Sequence, residues 1–375
     1  MLTNNTMNNS RRKFIGNTAL VGGALATAPA FGFNILKKGN QEDGIVGHGD
    51  YRYKVHKNWA KISAAYNPLL NCHEMQMDSK GRLLMIGDHT ANNILVFDRS
   101  GKLLDHWGTG YPGGHGLTLH NEGGEDVLYI VDCGYFVDKT GAGQAQAGQV
   151  LKTTIDGRLI FPLPHPYTIG VYKQDEAYRP TETAVGPNGD IYVADGYGSD
   201  YILQFSHKGE FIRKWGGKNN ADKNYDLANA HGVAVDYRDK NIPVLIVTSR
   251  NDNAFKFFTL DGKYIKTLNL PGAFVCRPVM DDKNIYAGVC WSETRDGKKW
   301  VRDTGFVTIL DGNNKVVSNP GGEAPKYVNG KLQTMHNAPV PIFNHGHDVC
   351  VDGDKNLYVC QWNAHQTAPI KLERV

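Results

Sequence analysis

The six cysteines, Cys72, Cys133, Cys276, Cys290, Cys350 and Cys360, include no C-x-x-C pair, which argues against a thiolate zinc cluster. Cys350 and Cys360 fall on successive predicted strands and could pair, but a buried free thiol is the expected state of each. An excess of one charge is also missing. The formal net charge is +3, with acidic and basic residues interspersed, so neither a nucleic-acid groove nor a polybasic membrane patch is implied. Beyond its first fifty residues no linker divides the chain of 375 residues, a length that exceeds the usual single domain but suits a closed ring of repeats. Long apolar runs are absent too, and the stretch from Thr18 to Phe33 falls short of a membrane-spanning helix.

That stretch follows Ser10-Arg11-Arg12-Lys13-Phe14-Ile15, a twin-arginine motif, and contains Ala28-Pro29-Ala30 as a cleavage site. The expected organisation is a signal peptide over residues 1–30, a linker over 31–50 and one folded domain over 51–375. Export across a bacterial inner membrane, to the periplasm or beyond, is expected, with no stable membrane insertion after cleavage. An uncleaved anchor is the alternative.

What the chain does have is repetition. His115, His231 and His347 are equally spaced, and each opens a similar phrase: His-Gly-Leu-Thr-Leu, His-Gly-Val-Ala-Val and His-Asp-Val-Cys-Val. Alternating apolar positions after a polar start read as the opening of a buried strand. Between these phrases the same grammar of four short strands and turns returns, from His73 through Trp107 and from Glu182 through Trp215. Four strands per unit of about 40–60 residues is the signature of a propeller blade. Blade starts near residues 73, 115, 181, 231, 276 and 347 predict an all-β, six-bladed propeller. The sixth blade has only three strands before the chain ends, and Tyr51–Val55 is predicted to supply its missing outer strand.

In a six-fold ring, positions two blades apart are related by about 120°, so His115, His231 and His347 are predicted to converge at one mouth of the channel. Three imidazoles with one open position is the arrangement of a catalytic zinc site. The competing reading is a set of polar residues tolerated at a channel mouth. His73 holds the equivalent place in blade one and is a fourth candidate ligand. Two strand-end segments, Asp195–Asp200 and Thr248–Asp252, bring Tyr197 and Arg250 within reach of the same mouth. Read alone, each is a packed aromatic or a surface ion pair.

Together these residues resemble the NHL-type six-bladed propellers, and among them the peptidyl-α-hydroxyglycine α-amidating lyases. The resemblance runs over roughly residues 70–375 and is most specific from Pro180-Thr181-Glu182 through Asp195-Gly196-Tyr197 to Ile202–Phe205. It implies that His115, His231 and His347 bind zinc, that Tyr197 is the catalytic tyrosine and Arg250 an active-site arginine. It also implies that Asp348 and the Leu117 carbonyl bind a structural calcium. A second arginine of that family precedes a Gly-Asp-His run, where this chain has Ile86. The cysteine that follows the family's catalytic tyrosine is Gly198 here, so the corresponding disulfide is not expected. An insertion in blade two, Gly134 to Gly148, is expected to fold over the mouth.

The mechanism implied uses zinc as a Lewis acid on a substrate hydroxyl and Tyr197 as general base, made acidic by the metal and Arg250. The substrate would be a small molecule or peptide-like compound, cleaved at a C–N or C–O bond beside a hydroxyl. Two other classes stay open: a metal-dependent hydrolase or lactonase, whose propellers favour carboxylate and Asn ligands around calcium, and a non-catalytic NHL binding propeller.

Overall fold

A computed structural model describes residues 44–137 and 142–375. The twin-arginine motif and cleavage site lie outside the described residues, as does most of the expected linker. Among the described residues no helix is long and apolar enough to cross a membrane.

Six antiparallel sheets follow one another along the chain. Blade one runs Cys72–Met77, Leu83–Gly87, Ile94–Phe97 and Leu103–Trp107; blade two runs Gly114–Glu122, Glu125–Asp132, Gln149–Thr154 and Leu159–Pro162. Blade three comprises Glu182–Val185, Ile191–Ala194, Tyr201–Phe205 and Phe211–Gly216; blade four comprises Val233–Asp236, Val244–Ser249, Ala254–Thr259 and Tyr264–Asn269. Blade five holds Ala273–Met280, Ile285–Ser292, Phe306–Leu310 and Val316–Ser318. The first strand of each blade packs beside the first strand of the next, and that of blade six returns to that of blade one. This closes the six-bladed propeller that the repeats predict.

Blade six is assembled from both ends of the domain. Gly346–Val351, Leu357–Gln361 and Ile370–Arg374 are followed in the sheet by Tyr51–His56, whose Tyr53, Val55 and His56 pair with Arg374, Leu372 and Lys371. The predicted closing strand is therefore in place. Ile45–His48, in the stretch read as linker, adds a fifth strand outside it through pairs such as Val46 with Tyr53.

Local chemistry explains the hairpins. Within blade one, Asp78 accepts hydrogen bonds from the backbone of Lys80 and Arg82 through one carboxylate oxygen, and Gly81 takes φ +75°. Asp98 does the same for Ser100 and Lys102, with Gly101 at φ +86°. The side chain thus holds the turn and glycine supplies the left-handed residue that ends it.

Alternation along each strand sends side chains to opposite neighbours. Leu83 and Met85 pack toward blade six, with Tyr358 and Cys360; Leu84 and Ile86 pack toward blade two, with Leu117, Leu128 and Ile130. Six such apolar clusters fill the six interfaces between blades. Each fully buried Leu, Ile or Phe contributes about 1.5–3 kcal/mol, so the ring is held by packing between blades. All six cysteines are buried free thiols, as expected, and Cys350 and Cys360 do not pair.

Candidate active site

The innermost strand of each blade begins at one mouth of the ring, and the predicted histidines sit at those starts. The ring centroids of His115, His231 and His347 lie 4.9, 4.8 and 4.8 Å apart, an almost equilateral triangle. The His-Gly phrase has a steric reason. A Cβ on Gly116 would stand 2.7 Å from the Thr181 carbonyl oxygen, and one on Gly232 would stand 2.6 Å from the Arg277 Cα. Glycine after the histidine lets the neighbouring blade approach closely enough for the imidazoles to meet.

Backbone acceptors orient two of the rings. His115 Nδ1 lies 2.8 Å from the Thr181 carbonyl oxygen and His347 Nδ1 lies 2.9 Å from that of His73. A carbonyl can only accept, so each Nδ1 carries the proton and each Nε2 presents a lone pair inward. His347 Nε2 is buried with no hydrogen-bond partner, as is His231 Nδ1. Burial pushes all three imidazoles well below their ordinary pKa, and the nearby histidines and Arg250 add to this. Neutral, buried imidazoles suit a divalent metal, and the residues fit one as a histidine cluster: ligand atoms fall within 4.8 Å of one another for His115 and His347 together with His73, and for His231 and His347 together with Cys276, but not for the three predicted histidines as one set.

His73 belongs to the same cluster. Its ring lies 4.8 Å from His115 and 5.0 Å from His347, its Nδ1 is buried and unpartnered, and ligand atoms of the three lie within 4.8 Å of one another. Its Nε2 faces Asp88 at 3.3 Å. A second grouping within the same limit joins His231, His347 and Cys276, and the cysteine has no counterpart in the sequence reading.

Tyr197 and Arg250 arrive from the predicted segments. The Tyr197 hydroxyl lies 3.1 Å from His115 Nε2 and 3.2 Å from His231 Nε2. Burial pushes its phenol up, and the charge of Arg250 works in the opposite direction. Arg250 opens a short 3-10 turn after Val244–Ser249, is 5% exposed, and sets its guanidinium 5.7 Å from the Tyr197 ring and 5.4 Å from that of Trp291. Its Nη1 donates to Cys276 Sγ at 3.8 Å and its Nε is buried without a partner. Among the described residues it pairs with no carboxylate, which is costly for a buried cation unless an anion joins it.

His73, His115, His347, Tyr197 and Arg250 line a cavity of about 410 Å³, walled by Trp291, Trp362 and residues of the blade-two insertion, while His231 and Cys276 lie outside its lining. Two short strands of the insertion pair antiparallel, Tyr135, Phe136 and Val137 with Ala145, Gln144 and Gly143, and all but Ala145 of these face the cavity. Asp88 lines it as well, held by Asn71 through backbone and side-chain bonds of 2.9 and 2.6 Å. Burial raises the Asp88 pKa, but His73 and Asn71 outweigh it and the net shift is downward.

Two differences from the amidating-lyase pattern take physical form. Ile86 is fully buried in the apolar cluster between blades one and two, so its side chain points away from the cavity. A Cβ on Gly198 would meet Asp195 Oδ1 at 2.2 Å and the Ala177 carbonyl oxygen at 2.4 Å, which leaves no room for a cysteine.

The calcium expectation does not fit. Asp348 is gripped by Arg277, Nη2 to Oδ2 at 2.8 Å and Nε to Oδ1 at 3.0 Å, and the Leu117 carbonyl oxygen accepts from Gln76 at 2.9 Å and faces Arg277 Nη1 at 3.5 Å. A guanidinium already occupies the space between the expected ligands. Sequence reasoning missed Arg277, Glu74 and Glu182, although a lone charge inside the apolar strand Ala273–Met280 was the signal.

No protein-family model matches the chain. Among curated proteins it is similar to peptidyl-α-hydroxyglycine α-amidating lyase 1 of Drosophila melanogaster, 40% identical over 67 residues, which cover 18% of this chain and 12% of that protein. A Caenorhabditis elegans protein named for the same lyase is 27% identical over 177 residues, 46% of this chain and 45% of its own length. The matched stretches thus span less than half of either relative. A gluconolactonase from Xanthomonas campestris has the same fold, with a TM-score of 0.50 at 11% identity over 87% of this chain and 90% of that one. The chain is an NHL-like six-bladed propeller that is similar over part of its length to proteins named as amidating lyases.

Proposed function

We propose that this propeller is an exported, zinc-dependent lyase that cleaves a C–N or C–O bond beside a hydroxyl on a small, anionic or peptide-like substrate. The observation that carries the reading is the triangle of His115, His231 and His347, two of whose rings meet the Tyr197 hydroxyl, with the cation of Arg250 beside it and, among the described residues, no carboxylate partner for that cation. A non-catalytic binding surface has no need to bury three neutral imidazoles and an unpaired guanidinium.

Zinc held by the three imidazoles would supply Lewis acidity to a substrate hydroxyl and lower its pKa. Arg250 supplies the charge complement to a substrate anion at the cavity wall, where the aromatic faces of Trp291 and Trp362 exclude water. Tyr197 is the general base: as phenolate it takes the hydroxyl proton at Oη. The hydroxyl-bearing carbon then becomes a carbonyl as its bond to nitrogen breaks, the bonding pair leaves with nitrogen, and the proton on Tyr197 Oη is available to the departing group. Burial alone opposes the phenolate, Arg250 favours it, and a metal charge nearby acts in the direction of Arg250.

The test is metal analysis of purified protein together with turnover of α-hydroxyglycine peptides, hydroxy acids and lactones. About one equivalent of zinc is expected, lost in His115→Ala, His231→Ala and His347→Ala and reduced less in His73→Ala. Absence of a stoichiometric transition metal, or full turnover after chelation, would overturn the reading.

A further inference from the structure

We propose that Arg277 is the resident cation of the channel, standing where a divalent ion would otherwise tie the blades together, and that it positions the histidines from below. Its side chain is 7% exposed and comes from blade five. Besides its two bonds to Asp348 of blade six, Nη2 lies 3.4 Å from the Met75 carbonyl oxygen of blade one and Nη1 lies 3.5 Å from that of Leu117 in blade two. Two more carboxylates close the shell: Glu74 of blade one at 3.7 Å and Glu182 of blade three at 3.6 Å. The oxygens are themselves fixed, since Asp348 Oδ2 accepts from Met75 N at 2.9 Å and Glu74 Oε2 from Leu117 N at 2.8 Å. Three carboxylates and two carbonyls around one centre are a hard-cation shell. A planar guanidinium with five donors takes the centre of the same shell without a metal, bonding Asp348 directly and facing Glu74 and Glu182 at longer range.

The hub's partners are chain neighbours of the site above. Glu74 follows His73, Asp348 follows His347, Leu117 lies two residues beyond His115, and Glu182 follows Thr181, which holds His115 Nδ1. Arg277 itself follows Cys276. Whatever fixes the guanidinium therefore fixes the height and rotation of the inner-strand starts. Arg277 acts through these strands as a positioning residue and touches no substrate.

The calcium arm of this inference stands apart from the lyase reading, because it uses no substrate and no histidine-bound metal. Thermal melts of the full-length protein already stripped of transition metal, with chelator and with millimolar Ca2+, should coincide for wild type. Arg277→Ala opens an oxygen-lined cavity of net negative charge; its midpoint should fall by on the order of 10 °C in chelator, recover in Ca2+, and calorimetry should find about one Ca2+ bound. Co2+, read by its visible absorption, should bind the histidines about tenfold or more weakly in Arg277→Ala, with Ca2+ restoring it. Arg277→Lys keeps the charge, folds if the alanine variant does not, and should bind no Ca2+. Calcium binding by the wild type, a wild-type midpoint that drops in chelator, or an Arg277→Ala or Arg277→Lys protein that behaves oppositely toward Ca2+ would overturn the proposal. Unchanged Co2+ affinity in a calcium-free Arg277→Ala protein would overturn the positioning role.

Discussion

Replacing Tyr197 by Phe removes the oxygen that bridges His115 and His231, and its effect on metal affinity and on turnover should have opposite signs. The hydroxyl sits 3.1 and 3.2 Å from two imidazole nitrogens. It has a single proton, so it donates to one ring and accepts from the other. A metal taking both Nε2 atoms must first displace these two bonds, each worth about 0.5–1.5 kcal/mol net. Without them the binding equilibrium gains about 1–3 kcal/mol, which at about 1.4 kcal/mol per decade is roughly 5- to 150-fold tighter. Turnover should nonetheless fall by about two orders of magnitude or more, the scale of losing a general base. Competition of metal-stripped protein against a chromophoric chelator, with steady-state rates on the same preparations, reads both. Weaker metal binding in Tyr197→Phe would mean that the phenol is itself a ligand, and full turnover would remove it as the base.

Three more outcomes follow from the geometry. Arg250→Ala should lower kcat/KM for an anionic substrate about 10- to 100-fold, mostly through KM, the range for a charged hydrogen bond, and a neutral analogue should lose little. Ile86→Arg should not create a second anion site: it places a charge among Leu84, Val96 and Leu128 and should destabilise by roughly 4 kcal/mol or more in urea melts, whereas folding at wild-type stability would refute its inward orientation. Asp195, at the base of the Tyr197 loop, is pushed by burial up to about 7, against roughly 4 in an unfolded chain. Its contribution is therefore fully present below about pH 4 and is lost as pH rises toward 7, at up to about 1.4 kcal/mol per pH unit. Asp200, pushed up to about 6, adds in the same direction. Urea midpoints at pH 5 and 8 should differ less in Asp195→Asn, and an equal difference would show that Asp195 is ionised throughout.

The architecture was legible because period-two alternation and Asp-x-x-Gly turns are local, so strand after strand can be read from a few residues. The closing strand Tyr51–His56 was legible by subtraction, from a sixth blade one strand short. The histidine triangle was legible because ring symmetry converts equal sequence spacing into equal angles. The charges beneath it were not. Arg277, Glu74, Glu182 and Asp348 come from four blades, and no spacing rule says that an arginine in one strand will face carboxylates in three others. Ile86 shows a similar blindness: a motif position says which residue stands there but not which face of the strand it takes, and Leu84 and Ile86 share the face that packs on blade two.

Blade six has a consequence in time. Its outer strands, Ile45–His48 and Tyr51–His56, leave the ribosome before any other part of the described domain, while Gly346–Val351 and the two strands after it leave last. Five blades can stack as synthesis proceeds, but the ring stays an open arc, with the early strands unpaired at one end, until residue 374 is available to meet Tyr53. His347 arrives in the same final stretch. A nascent or truncated chain therefore carries His115 and His231 without their third partner, and the histidine triangle is completed in the same step that seals the circle.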